Sequence, residues 1–146
     1  MGSERKGGRT VALDLGAARV GVAIDDDLGM MAHPRGVLPG RDLRALLDSL
    51  KELAESENVT LFVVGLPLDM RGGEGEAARK AREHAQAIAN ATGRDVELWD
   101  ERLTTVQAQR SLKASEVRGK KAKARIDEAA ACAILQGWLD RRRGGA

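Results

Sequence analysis

Thr10-Val11-Ala12-Leu13-Asp14-Leu15 is the stretch from which this 146-residue chain is best read. The run has the apolar, β-branched character of a buried strand, yet it carries one carboxylate, Asp14, near its end. A carboxylate inside an apolar strand is costly unless a cationic partner, hydrogen bonds or a metal ion neutralises it. Asp14 is therefore either a structural acid, paired with Arg19 or capping the next turn, or a ligand. Gly16 to Arg19 read as a turn and Val20 to Ile24 (VGVAI) as a second strand, so the short link implies an antiparallel hairpin.

Outward from the hairpin, Met30 to Leu38 reads as an irregular third strand, bounded by Pro39 and Gly40. Asp42 can cap a helix to about Glu57, with Leu43, Leu46, Leu47, Leu50, Leu53 and Ala54 on one face. Leu61 to Leu66 (LFVVGL) is too short for a core helix and reads as a central strand ended by Pro67. A second helix spans Glu76 to Thr92 and stops at Gly93, and Val96 to Trp99 is a short strand. Thr104 and Gln107 have capping-box spacing for a helix to about Lys113. Ala114 to Arg125, basic and containing Gly119, reads as a mobile loop before a last helix, Ile126 to Asp140. The order predicts an α/β fold: a mixed five-stranded sheet with helices on both faces. Residues 1–9 are expected as a flexible tail, 10–140 as one domain and 141–146 as a frayed basic tail.

Hydrophobic residues make up 42% of the chain, enough for a core without cross-links, and the single cysteine, Cys132, excludes an internal disulfide. No apolar run approaches the roughly 20 residues of a membrane span, and Met1 to Gly8 lacks the apolar core of a secretory signal. A cytoplasmic protein with no membrane partner is expected. The net charge is only +2, but from Arg102 onward eleven Lys/Arg stand against four acids, a balance of +7. That end suits a phosphate-binding surface, although a solvated charged face would look the same.

Glu101 ends another strand, where sites gather in α/β sheets, and Asp127 sits in the first turn of the last helix, where acids are common. Each alone has a bland explanation. Together, Asp14, Glu101 and Asp127 stand at junctions of elements with loops and can meet at one sheet edge. Carboxylates suit a hard cation such as Mg²⁺ or Mn²⁺, and beside a basic rim they suit phosphodiester hydrolysis. His33, His84 and Cys132 read as structural. Of Phe62, Trp99 and Trp138, two look buried, so recognition is expected to rest on backbone and shape rather than base stacking.

Four blocks then resemble one family in order and spacing. They are Leu13-Asp14-Leu15-Gly16 with Arg19-Val20-Gly21-Val22-Ala23; Val63-Val64-Gly65-Leu66-Pro67-Leu68 with Gly73-Glu74-Gly75 behind it; Asp100-Glu101-Arg102-Leu103-Thr104-Thr105; and Ile126-Asp127-Glu128-Ala129-Ala130-Ala131 through Ile134-Leu135-Gln136. They resemble the YqgF/RuvX family over nearly the whole chain. The resemblance implies a ribonuclease H-like fold related to Holliday junction resolvases, with action on precursor 16S ribosomal RNA at its 5′ end, on branched DNA, or on both. It implies Asp14, Glu101 and Asp127 as metal-binding, catalytic acids and Arg19 and Arg102 as phosphate contacts. Lys120, Lys121 and Lys123 are expected on a loop that closes over the nucleic-acid backbone, and junction cutting would favour a symmetric homodimer. One departure stands out: Asp25-Asp26-Asp27 occupies the place where the family often has Ser-Asp, adding negative charge near the proposed site. Two rival readings are a non-catalytic nucleic-acid-binding module and an actin-like ATP-binding domain, the latter because Asp14-Leu15-Gly16 with Gly21 also resembles a phosphate-binding hairpin.

Overall fold

The computed structural model describes residues 8–104, 106 and 119–145. Five strands form one sheet: β1 (Arg9–Leu15), β2 (Arg19–Asp25), β3 (Ala32–Pro39), β4 (Val59–Leu66) and β5 (Asp95–Asp100). Their order is β3-β2-β1-β4-β5. The β1–β2 and β2–β3 pairs are antiparallel, and β4 runs parallel to both β1 and β5. The predicted hairpin and mixed sheet are thus present, with the Asp14 strand at the centre.

Side-chain alternation along β1 assigns the two faces. Val11 and Leu13, with Val20, Val22, Phe62 and Val64 of its neighbours, pack against α1 (Leu43–Ser56) and α2 (Glu76–Thr92). Asp42 caps α1 by accepting from the Ala45 N–H at 3.3 Å, as its position before the apolar repeat predicts. The other face carries smaller groups, Ala12, Ala23 and Val63, and meets α3 (Lys120–Gly145) through Ala130, Ala131, Ile134, Leu135, Trp138 and Leu139. Small residues on both surfaces let α3 lie close to the sheet. Phe62, Trp99 and Trp138 are all buried, one more than expected.

The last helix corrects the sequence reading at both ends. It begins at Lys120, so Lys120, Lys121 and Lys123 stand in its opening turns and not on a loop. Gly119, the residue that suggested a loop, has φ 90° and turns the chain directly into the helix. Lys and Arg are good helix formers, so the basic run extends the helix. Arg141 to Arg143, expected as a frayed tail, continue it, and Arg142 stacks over Trp138 at 5.0 Å. Of the helix expected over 104–113, all but Thr104 and Val106 lie outside the described residues, as does the 114–118 part of the expected loop.

α3 comes close to the sheet at Gly21. A Cβ there would stand 2.0 Å from the Asp127 carbonyl oxygen and 2.5 Å from its carbon. We therefore expect Gly21→Ala to destabilise the fold by about 2–4 kcal/mol through overpacking against backbone. Gly75→Ser, at an open N-cap position, should change stability by only a few tenths of that unit. Chemical denaturation of the two variants beside the parent measures both.

Candidate active site

Two strand glycines flank the central acid. Asp14 pairs in register with Gly21 of β2. On the other side Leu13 pairs with Val64, which places Asp14 alongside Gly65 of β4. Over each glycine lies another acid. The Asp127 backbone crosses Gly21, and the Glu101 carboxylate lies over Gly65, where a Cβ would be 2.4 Å from Glu101 Oε2 and 2.8 Å from Ile134 Cδ1. Glu101 follows β5 directly, in a short 3-10 turn (Glu101–Leu103). The three acids named from the sequence therefore line one cavity of about 360 Å³ at the C-terminal ends of β1 and β4. Asp14 is 6% and Glu101 2% exposed, so both belong to the interior.

Asp127 is held by Arg19, whose Nε donates to Oδ2 at 2.6 Å. This ion pair occupies one oxygen of Asp127. Among the described residues, no three His, Cys, Asp or Glu side chains are grouped tightly enough to hold one ion. Arg19, expected as a phosphate contact, is here paired with an acid of the chain.

Lys80 and His84 of α2 line the same cavity. Sequence reasoning set His84 aside and did not single out Lys80. They sit one helical turn apart, and the His84 Nδ1 lies 3.0 Å from the Lys80 carbonyl oxygen. Their i, i+4 spacing on the edge of the apolar face of α2 was the available signal.

Arg102 does not point free charge at the cavity. Its guanidinium donates to both oxygens of Asp100, at 2.7 Å from Nη2 and 3.0 Å from Nε, and reaches the Met70 carbonyl at 3.4 Å. It therefore locks the turn between β4 and α2 to the end of β5. The Asp25-Asp26-Asp27 run is likewise elsewhere. The antiparallel register sets Asp25 beside Thr10, whose N–H it accepts at 3.1 Å. Thr10 and Asp14 are four strand residues apart, about 13 Å. Asp26 accepts from the Met30 N–H at 2.8 Å, and Asp27 pairs with Arg9. These acids terminate the far end of the hairpin and add nothing to the cavity. Cys132 is half-buried, and burial together with Glu128 pushes its thiol up to about 11, so it is no nucleophile near neutrality.

The profile of the family described as "RuvX: Holliday junction resolvase" matches residues 8–141. A Myxococcus xanthus protein named "Putative pre-16S rRNA nuclease" is 44% identical over 135 residues, covering 92% of this chain and 89% of that protein. A Streptomyces avermitilis protein of the same name is 46% identical over 144 residues, covering 98% and 91%. Among solved structures, Thermus thermophilus RuvC in complex with a Holliday junction substrate superposes with TM-score 0.58 over 95% of this chain and 98% of that one, at 14% identity. That likeness establishes the ribonuclease H-like fold. Among the described residues, no helix is long and apolar enough to cross a membrane.

The Arg102 lock makes a pH-dependent prediction. Its side-chain bonds to Asp100, opposed by desolvation and helped by the Arg102 backbone N–H, hold the Asp100 carboxyl below its ordinary 3.8. A depressed folded value stabilises above the unfolded value and fades as pH falls through the folded one. Amide exchange over residues 69–75 should therefore accelerate, relative to the sheet, as pH drops below about 4. Asp100→Asn should show fast exchange at all pH values, with no acid transition in that segment.

Proposed function

The chain belongs to the RuvX family, and from that premise we propose that it is a metal-dependent endonuclease hydrolysing phosphodiester bonds in structured nucleic acid. The observation that carries this reading is the pair of buried carboxylates, Asp14 and Glu101, lining one cavity with Asp127 at the sheet edge. Precursor 16S ribosomal RNA, matured at its 5′ end, is the substrate we favour, following the relatives' name. Four-way DNA junctions are the second substrate, following the family description and cut by a symmetric homodimer. Both reactions place the protein in the cytoplasm.

The donor set fits a hard divalent cation, because the three acids offer carboxylate oxygens. Asp14 and Glu101 would hold Mg²⁺ or Mn²⁺, with Asp127 as third ligand once its pair with Arg19 opens. Such an ion, when bound, neutralises phosphate charge and lowers the pKa of attacking water. The chain's own residues then do the positioning. The sheet fixes Asp14, and Gly65 leaves the gap in which Glu101 lies against it. Lys80 and His84, which line the same cavity, would face the phosphodiester backbone. Lys121 and Lys123, exposed on α3, extend the path beyond the cavity, with Lys120 beside them in sequence. Attack in line leaves a 5′-phosphate and a 3′-hydroxyl.

The Arg19–Asp127 pair gives the rival reading, a binding module whose acids are structural, its one specific support. Cleavage separates the two. Purified protein with Mn²⁺ should cut a precursor 16S fragment or a four-way junction, and Asp14→Asn should lower the rate at least a hundredfold, roughly 3 kcal/mol in the barrier, while leaving binding and thermal stability close to the parent. No cleavage of either substrate, with undiminished binding, would leave only the module.

The cationic path has its own test. Replacing Lys120, Lys121 and Lys123 with Ala should weaken binding and reduce the slope of log K against log salt by about 2–3, near one for each phosphate no longer neutralised. The helix should persist, since Ala is the better helix former. An unchanged slope assigns the path elsewhere.

A further inference from the structure

We propose that Met70, on the turn between β4 and α2, is an apolar wedge that enters the base stack of nucleic acid bound at the acidic cavity. The inference rests on the nuclease reading and extends it to how the substrate is gripped. Met70 is 96% exposed, more than any other large hydrophobic residue described. Isolated exposed apolar residues are common, so exposure alone decides nothing. The turn beneath Met70 decides more.

That turn is built to hold a side chain out. Asp69 Oδ1 accepts the N–H of Arg71 at 2.9 Å and of Gly73 at 2.7 Å. The Asp69 carbonyl accepts the Gly72 N–H at 2.9 Å, and Leu68 bridges to Glu74. Arg102 bonds the Met70 carbonyl and lies against Gly72, tying the turn to the end of β5. A stiff platform reduces the entropy lost on inserting the side chain it carries.

Its position is equally specific. Met70 and Leu103, the latter 51% exposed, rim a shallow depression with Leu68 and Arg102. The two segments that form it leave the C-terminal ends of β4 and β5, the same ends that deliver Pro67 and Glu101 to the acidic cavity. The apolar prominence thus stands at the same end of the sheet as the candidate site. Exposed Arg71 is next to it in the chain and supplies the cation a phosphate backbone requires. All three aromatic side chains are withdrawn into the core, so apolar contact with bases falls to another residue. Methionine is soft and adaptable, and it is among the side chains that wedge between base steps.

The probes are a synthetic four-way DNA junction and a hairpin RNA, each in versions carrying a single 2-aminopurine near the branch or stem end. Binding is read in Ca²⁺ and cleavage in Mn²⁺. The parent protein should brighten at least one position as its neighbours unstack. Met70→Ser should lose that brightening and bind roughly tenfold more weakly, whereas Met70→Leu should retain both. Equal brightening by Met70→Ser, with cleavage by the parent intact, overturns the wedge and leaves the nuclease standing. Brightening that depends on Met70 without cleavage by the parent upholds the contact with bases and removes the nuclease. Failure of the parent to bind either probe removes both, and would point to a protein partner for this face.

Discussion

Other groups can approach a central strand closely only where its neighbours carry no Cβ. Gly21 and Gly65 meet that condition on either side of Asp14, and the acidic cavity exists because they do. Over one, the opening turns of α3 come down until the Asp127 backbone lies against the strand. Over the other, the Glu101 carboxylate lies where a side chain would have been. Neither glycine occupies a turn. Each is placed for close approach, and each weakens the strand it sits in through poorer packing and higher chain entropy. The fold sustains this weakness where Asp14 is preceded in β1 by fully buried Val11 and Leu13 and bordered on one side by fully buried Val63 and Val64 of β4.

The electrostatics of the cavity follow from the same arrangement. Two carboxylates about 4 Å apart repel by about 4 kcal/mol at the effective dielectric of a protein surface, a large fraction of the 5–15 kcal/mol that stabilises a domain. Three acids packed as one cluster would therefore strain the fold on their own. Arg19 offsets part of this by taking Asp127, while Asp14 and Glu101 remain interior. A cation shared by all three would repay the same cost. On the proposed reading, stability and ion binding would draw on one set of charges.

Much of this was legible in the chain. Alternation and apolar runs located all five strands to within a few residues, and the apolar repeats located α1 and α2. Asp14, Glu101 and Asp127 were recognisable because each is an acid at the margin of an apolar element. What was not legible had tertiary causes. Gly119 reads locally as a breaker, yet its positive φ serves to aim the chain into α3. Lys80 and His84 lie at the edge of a helix whose neighbours only the fold supplies. Asp25 to Asp27 seemed to crowd the site, and the antiparallel register carried them to the hairpin's other end. Gly21 and Gly65 were quoted within motifs, but their purpose depends on α3 and on the turn after β5.

The basic balance of the C-terminal third is best apportioned by asking which cations are already spent. Arg102 is spent on Asp100 and on the turn it braces; Arg143 is spent on Asp140, and Arg142 on the face of Trp138. Arg19, though outside that third, is spent on Asp127. A phosphate must compete with those partners, whereas Lys121 and Lys123 stand exposed on α3. Charge counted along the chain therefore overstates the surface available to nucleic acid. Lys121 and Lys123 lie on the same helix that carries Asp127 over Gly21, so the element that completes the acidic cavity also carries exposed positive charge.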